Sequence, residues 1–335
     1  MSRDQALRGE GGDVIDWLLE EDDPTVRYLT LRHLLKRKAG DAEVEEARGA
    51  IMRTGPAAKI LARQEAEGHW GRPEDFYMRS KYKGTVWNLI LLAELHADPR
   101  DERVRKACEF VLRWSQDPVS GGFSNLGSGE EGGRADKLLP CLTANMAFCL
   151  VRFGMLQDPR VQKALDWIIR YQRFDLAPSP SREWPYQYDR CWRDHTCRSS
   201  VAKALKALAE VPQEQRPKGM RAAIENAREF FLVQNIYMDG PGSHRMARPE
   251  WRRLGFPLMW NTDLLELLNL LLCTGGDDSR MHDAEALVLS KRMKNGRWAQ
   301  ENRFPGRYLV AMERNGAESK WVTLNALRML EALPR

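Results

Sequence analysis

The feature that most constrains the fold is a short phrase that recurs along the chain. Residues 60–70 read Ile-Leu-Ala-Arg-Gln-Glu-Ala-Glu-Gly-His-Trp, in which two apolar residues, two spacers and a polar residue precede a glycine and a tryptophan. Residues 288–298 repeat the phrase with Arg292 in place of the glutamine, and three looser copies begin at residues 111, 168 and 230. Such a recurrence indicates one supersecondary unit repeated along the chain.

The segments between these copies alternate between two kinds of helix. One kind is amphipathic, since Val104, Ala107, Cys108, Val111 and Leu112 follow the spacing of a single apolar helix face. The other kind carries little charge at its start, which is typical of an inner, buried helix. This inner set is predicted at 23–35, 84–97, 141–154, 195–210, 258–273 and 320–333. No stretch keeps the two-residue period of a strand, so the sequence predicts an all-α protein.

Six outer–inner helix pairs predict an α/α toroid with a central cavity. We expect a flexible N-terminus at residues 1–12 and a single toroid domain at residues 13–335. The second copy of the phrase places Ser115 at its polar position. We expect the polar residues and tryptophans of the phrase to be structural, with Gln64 and Arg292 bonding loop backbone while Trp70 and Trp298 pack on the adjoining turn.

Charge and composition limit the partners and the location. The 52 basic and 47 acidic residues are interspersed, whereas a nucleic-acid interface needs a concentrated basic stripe, so nucleic acid is excluded as a partner. No apolar run is long enough for a membrane span, and the N-terminus lacks an apolar signal core. The sequence therefore predicts a cytoplasmic protein and leaves peripheral membrane contact open. Its six cysteines are expected to be thiols or metal ligands rather than disulfides.

The phrase Gln64-x3-Gly68-x-Trp70 resembles the QW repeat of squalene and hopene cyclases. The same α/α toroid belongs to the β subunits of protein prenyltransferases, and the resemblance covers roughly residues 55–335 through five copies. It implies a cavity for an isoprenoid. The chain lacks the Asp-x-Asp-Asp acid of such cyclases, because Asp22-Asp23 and Asp277-Asp278 both lack the upstream aspartate.

The prenyltransferase resemblance also implies catalytic residues at the starts of inner helices. Their zinc-binding histidine lies in a Tyr-His-Thr-Cys-like phrase, to which Asp194-His195-Thr196-Cys197 is similar. Cys141 opens the inner helix one repeat earlier. The candidate catalytic residues are therefore Asp194, His195, Cys141 and, as a lone acid at another inner-helix start, Asp263.

Thiolates and imidazoles are the natural tetrahedral ligands of zinc. Cys141, Cys191, His195 and Cys197 could supply a full set if their two inner helices are neighbours. The alternative is that these cysteines are core or reactive thiols, since buried cysteine commonly acts as a small hydrophobe.

The inner-helix starts also carry polar and aromatic side chains that are unusual for a core. They predict a cavity with aromatic walls and a few polar anchors, and capping with inter-repeat hydrogen bonds is the alternative for the threonine and asparagines. The candidate ligand-binding residues are Lys83, Trp87, Asn88, Thr143, Asn145, Trp260, Asn261, Lys320, Trp321 and Asn325.

Three functions stay open at this point. The first is a cyclase- or transferase-like protein that binds an isoprenoid or another apolar molecule in a Trp-lined cavity, its reaction unknown. The second is a non-catalytic toroid that binds a small molecule or a protein partner. The third is an (α/α)6 carbohydrate-active enzyme, which needs two cavity carboxylates about 5–10 Å apart; by position, only Asp194 and Asp263 are candidates.

Overall fold

The computed structural model describes residues 8–9, 12–77, 81–176, 196–240, 242–243, 245–301 and 308–334. These residues are mostly helical, which confirms the predicted predominance of helix. The named strands among them are short: Arg8–Gly9 (β1) pairs antiparallel with Gly12–Asp13 (β2), and Gly127–Ser128 (β3) with Gly132–Gly133 (β4). No described helix has the length and apolar character to cross a membrane. Most of the N-terminus predicted to be flexible lies outside the described residues.

The α-helices follow one another in the order expected of a helical repeat. They are α1 Val14–Leu18, α2 Pro24–Leu29, α3 Ala42–Arg53, α4 Pro56–Leu61, α5 Thr85–Glu94, α6 Glu102–Trp114, α7 Pro140–Arg152, α8 Pro159–Tyr171, α9 Arg198–Glu210, α10 Lys218–Leu232, α11 Leu264–Gly275, α12 His282–Ser290 and α13 Lys320–Ala332. A π-helical turn, Thr30–Leu34, continues α2.

The chain divides into two compact units. The first comprises Met1–Ile60, Leu232–Leu258 and Asp263–Arg335; the second comprises Leu61–Phe231 and Met259–Thr262. In the first unit, α13 packs against α11, α1 and α2, and α12 lies against α11. In the second unit, α7 packs against both α5 and α9, while α6 lies against α5 and α8 lies against α7.

Most helices begin near their predicted starts, at residues whose side chains can cap a helix. Asp23 caps α2 by accepting from the backbone N–H groups of Thr25 and Val26, and Pro24 occupies the first helical position. The predicted helix 258–273 starts late. Asp263 accepts from the N–H of Glu266, so α11 begins at Leu264 and the preceding residues 259–262 are not helical. The predicted helix 195–210 likewise begins only at Arg198.

The first copy of the repeated phrase ends in a turn closed by a glutamine side chain. Gln64 Nε2 donates to the carbonyl oxygen of Gly68 at 3.1 Å and to that of Arg103, in the first turn of α6, at 2.9 Å. Arg292 donates to the oxygen of Gly296 at 3.2 Å in the same way. These bonds confirm the structural role predicted for Gln64 and Arg292.

The second copy corrects the sequence alignment by one residue. Gln116, and not Ser115, holds the polar position, because its Nε2 donates to Gly121 O at 3.0 Å and to Arg160 O, in the first turn of α8, at 2.8 Å. The Ser115 hydroxyl instead donates to Ser124 O at 2.8 Å. Gln64 and Gln116 thus each fasten their turn to the helix that follows it.

The aromatic residue after each glycine fastens the turn to a further helix. Its backbone N–H donates to a threonine hydroxyl on that helix, in the pairs Trp70–Thr85 (3.3 Å), Phe123–Thr143 (2.8 Å) and Trp298–Thr323 (3.0 Å). All three aromatic side chains are fully buried. The turns of Gln64 and Gln116 are therefore each held to two helices at once.

Two of the turn glycines are needed for space as well as for backbone conformation. Gly68 has a φ of +93°, and a Cβ atom there would lie 2.6 Å from the carbonyl carbon and oxygen of Lys106 on α6. Gly121 has a φ of +86°, and its Cβ would lie 2.7 Å from the same atoms of Lys163 on α8. Positive φ favours glycine, and the approach of rigid helix backbone leaves no room for a side chain.

We expect Gly68→Ala to lower the free energy of unfolding by about 2–4 kcal/mol, because it adds both backbone strain and a backbone clash. Gly71 is the matched control, since its φ is +70° but a Cβ atom there would meet nothing within 4 Å. Gly71→Ala should cost only the strain, about 1 kcal/mol. Urea unfolding followed by circular dichroism measures both, and equal losses would contradict the role of close packing.

Candidate functional site

The start of α13 in the first unit brings acidic and aromatic side chains together. Ser319 caps the helix, since its hydroxyl accepts from the N–H of Val322 at 2.9 Å. Its own N–H donates to the carbonyl oxygen of Trp298 at 2.8 Å. The last repeated turn thereby fixes where α13 begins, and with it the positions of Lys320 and Trp321.

A glutamate from the preceding loop occupies this helix start. Glu313 Oε1 accepts from the backbone N–H of Trp321 at 3.2 Å, and its Oε2 accepts from the Ser319 hydroxyl. Burial, together with the nearby charge of Asp23, raises the pKa of the Glu313 carboxyl to about 7. The hydrogen bonds from Ser319 and Trp321 oppose this rise. The side chain is only half-buried, so a carboxylic acid that keeps its proton near neutral pH stays within reach of a small molecule.

Trp321 also contacts a second carboxyl, that of Asp23. Its ring stacks on Phe256 with centroids 3.8 Å apart and planes inclined by 4°. Its Nε1–H donates to Asp23 Oδ2 at 2.8 Å. Burial raises the pKa of Asp23 as well, with hydrogen bonds from Val26 and Trp321 opposing the shift. Two carboxyl groups that resist ionisation thus adjoin one aromatic stack.

The cationic side chains nearby are engaged with other groups. Lys320 is 6% exposed, pairs with Glu20 at 2.8 Å and also contacts Asp22. Its Nζ lies 5.6 Å from the centre of the Trp17 ring, over which the Arg297 guanidinium lies at 4.0 Å. The charge of Lys320 is therefore directed to exposed carboxylates rather than to Glu313.

Two of the predicted ligand-binding residues of the second unit join an aromatic cluster. Trp87 is buried, stacks on Tyr77 with centroids 4.7 Å apart, and meets the edge of Tyr82 at 5.2 Å. Trp260 donates its Nε1–H to the Tyr82 hydroxyl at 3.3 Å. The ammonium of Lys81 lies 5.2 Å from the Tyr82 ring and 5.4 Å from that of Trp260. Lys83 is exposed.

The cysteines predicted to bind zinc are described in part. Cys141 is the second residue of α7 and Cys197 is the N-cap of α9, and neither forms a disulfide among the described residues. Burial raises the pKa of the Cys141 thiol to about 12, the charge of Cys197 raises it further, and buried Lys203 lowers it. Cys191, Asp194 and His195 lie outside the described residues, so both the zinc set and the catalytic set stay predictions.

The other predicted site residues make local hydrogen bonds. Asp263 is 2% exposed and accepts from the N–H groups of Glu266 at 2.8 Å and Gly255 at 3.0 Å. Thr143 also donates its hydroxyl to Leu139 O at 3.0 Å. Asn88 Nδ2 donates to the oxygens of Lys83 and Gly84. Asn145 is buried, and Asn261 and Asn325 are half-buried.

A surface groove of about 560 Å³ lies elsewhere on the first unit. Arg252, Arg253 and Lys291 line it together with Glu250 and Glu301. Both carboxylate oxygens of Glu301 bond Lys291 Nζ, at 2.8 and 2.9 Å. The groove therefore presents mixed charge, unlike the acidic and aromatic helix start around Glu313.

Sequence reasoning singled out Lys320 and Trp321 but not the acids beside them. Asp23 marks the start of the helix predicted at 23–35, and no local pattern links it to Trp321. Glu313 lies in the long loop before α13, where a single glutamate has no distinguishing spacing. The available signal was the loop itself, because a segment that leads into an inner-helix start can place its side chains against that helix end.

No protein-family model matches the chain, and no curated protein matches it. Among solved structures, a protein from Actinoplanes is similar at 18% identity, covering 99% of each chain with a TM-score of 0.46. The type II terpene cyclase MstE from Scytonema, without ligand, is similar at 17% identity over 92% of this chain and 87% of its own, with a TM-score of 0.44. A glycosidase variant reaches 14% identity over 88% and 100%, with a TM-score of 0.33. At these values no family is assigned.

We expect the raised pKa of Glu313 to make stability pH-dependent. Between about pH 4.5 and 7 the unfolded chain releases this proton while the folded protein keeps it, so the free energy of unfolding falls as pH rises through that window. The loss should be roughly 1–2 kcal/mol, since partial exposure weakens the full effect. Glu313→Gln cannot ionise and should lack this component in urea titrations between pH 4.5 and 8.

The matched control is Glu318→Gln, the same change on the same loop. Glu318 is exposed, and a hydrogen bond from Arg297 lowers its pKa. The stability that its ionisation contributes is therefore already complete above pH 4.5. The control should therefore keep the wild-type fall between pH 4.5 and 7. A Glu313→Gln protein that also keeps the fall would show that Glu313 ionises normally.

Proposed function

We propose that this protein is an enzyme that uses Glu313 as a general acid on an isoprenoid or a similarly apolar molecule. The observation that carries the proposal is a half-buried carboxyl with a pKa of about 7 beside the Trp321–Phe256 stack. A general acid works best when its pKa lies near the working pH. Strongly shifted carboxyl groups are also concentrated at functional sites.

The acidity of Glu313 favours a substrate that bears oxygen. A carboxylic acid of this pKa protonates an epoxide or hydroxyl oxygen far more readily than an isolated alkene, which is much less basic. In the proposed step the Glu313 proton forms an O–H bond, the adjacent C–O bond breaks, and positive charge develops on carbon. Aromatic faces stabilise such charge by cation–π interaction, which gives the aromatic stack a role in the reaction. The step also accounts for a chain without the Asp-x-Asp-Asp acid.

Asp23 supports this acid in two ways. Its charge raises the pKa of Glu313, and its hydrogen bond from the Trp321 indole fixes the ring orientation. Asp23 is therefore a positioning residue in this proposal, while Glu313 touches the substrate. Because Asn caps a helix as well as Asp does, Asp23→Asn should preserve α2 while changing the charge.

We expect turnover to be lost in Glu313→Gln. Purified protein is incubated with isoprenoid epoxides and alcohols, and products are separated by gas chromatography with mass spectrometry. The substitution should lower kcat by about 100-fold or more, within the range for removal of a general acid, whereas Glu318→Gln should retain activity. Turnover by Glu313→Gln equal to wild type would refute the acid role. Retention of an unchanged ligand by the wild type would favour the non-catalytic alternative.

A glycoside-cleaving enzyme is the second candidate, favoured by the two carboxyl groups at one tryptophan. Such enzymes pair an acid with a carboxylate nucleophile or base, and aromatic faces hold sugar rings. This candidate makes Asp23 essential, so Asp23→Asn should abolish cleavage of chromogenic glycosides. In the isoprenoid proposal the same substitution should instead shift the alkaline limb of the pH–rate profile, where Glu313 loses its proton, to lower pH and leave measurable turnover.

A further inference from the structure

A second cluster of potential ligands lies between α11 and α12, in the first unit. Asp277 follows Gly276, which ends α11 with a φ of +78°. His282 is the first residue of α12, and Glu285 follows it three positions later on the same helix face. A carboxylate oxygen of each acid and a ring nitrogen of the histidine all lie within 4.8 Å of one another. The histidine Nε2 is 3.6 Å from Asp277 Oδ1.

Glu285 is the unusual member of this cluster. It is only 7% exposed, and its Oε1 has no hydrogen-bond partner within the part of the chain that the structure describes. A buried carboxylate oxygen without a partner is costly. Burial raises the pKa of this carboxyl, the charge of Asp277 adds to the shift, and His282 opposes it. Helix capping does not account for the approach of Asp277, His282 and Glu285 to one another.

The geometry points to a divalent metal site of the zinc class held by Asp277, His282 and Glu285. A bound cation would supply the partner that the buried Glu285 oxygen lacks and would offset the repulsion between the two carboxylates. Asp277 and His282 are exposed, so the ion can enter from solvent and can complete its coordination with water. The site would fasten the turn between α11 and α12.

The ligand set and spacing select the kind of metal. One imidazole with two carboxylates suits zinc and neighbouring transition ions better than magnesium or calcium, which prefer oxygen alone. Zinc ligands bound at about 2.0–2.1 Å in a tetrahedron lie roughly 3.4 Å apart. Side-chain rotations that move the ligand atoms by about 1 Å would therefore bring all three to bonding distance from the ion. No cysteine belongs to this set, which separates it from Cys141 and Cys197.

The test is zinc titration of full-length protein that carries no affinity tag and has been stripped of metal with a chelator. Isothermal titration calorimetry should give one strong site per chain for zinc and none of similar strength for magnesium. His282→Ala and Glu285→Gln should each weaken it by about 100-fold or more, since even outer-shell changes cost 10–100-fold. Zinc should also raise the melting temperature of the wild type but not of these variants.

Two controls make the outcome decisive. Asp283→Asn removes one negative charge beside His282, outside the cluster, and should leave zinc affinity within about two-fold. Cys141→Ser with Cys197→Ser should also bind normally, and cobalt in the wild type should show no thiolate charge-transfer band. Absence of a strong zinc site, or a site lost in the cysteine variant but kept in Glu285→Gln, would overturn the inference. Circular dichroism spectra verify that each variant is folded.

Discussion

Two of the repeated turns, those of Gln64 and Gln116, depend on a side-chain amide that reaches beyond its own helix. Gln64 and Gln116 each close a glycine turn and bond a carbonyl in the first turn of the following helix, α6 or α8, at 2.9 and 2.8 Å. A carbonyl in the first turn of a helix otherwise accepts only a hydrogen bond from within that helix. The bond from the glutamine is therefore an additional contact between consecutive repeats. It also brings helix backbone so close to Gly68 and Gly121 that neither can carry a Cβ atom. One interaction thus explains both the glutamine and the glycine.

The same turn geometry positions the candidate acid. In the last copy, the Trp298 N–H bonds Thr323 and the Trp298 carbonyl accepts from Ser319, so two points of the turn fix the start of α13. Ser319 and the N–H of Trp321 then hold the Glu313 carboxylate. Hydrogen bonds to that helix start should favour the ionised acid, yet burial has the larger effect and raises its pKa. The conflict between those two effects makes the group useful near neutral pH.

Local chemistry made much of the helical fold predictable. The start of the helix predicted at 23–35 and the helix that ends the chain were located almost to the residue, because both depend on neighbours in sequence. The predicted start of α11 was wrong. The apolar run begins at residue 258, but Asp263 caps the helix five residues later. Glu313 and the Asp277, His282 and Glu285 cluster were not predicted as sites. Their character comes from burial and from contacts across the fold, which spacing along the chain does not encode.

The most direct test of this account is the ionisation of Glu313 itself. Its carboxyl carbon can be observed by NMR in protein carrying ¹³C-labelled glutamate, with the resonance assigned by its loss in Glu313→Gln. The account predicts a titration midpoint near pH 7, well above the ordinary value of 4.5, and a lower midpoint in Asp23→Asn. A midpoint near 4.5 in the wild type would mean that Glu313 is an ordinary helix-capping carboxylate and would contradict the proposed acid.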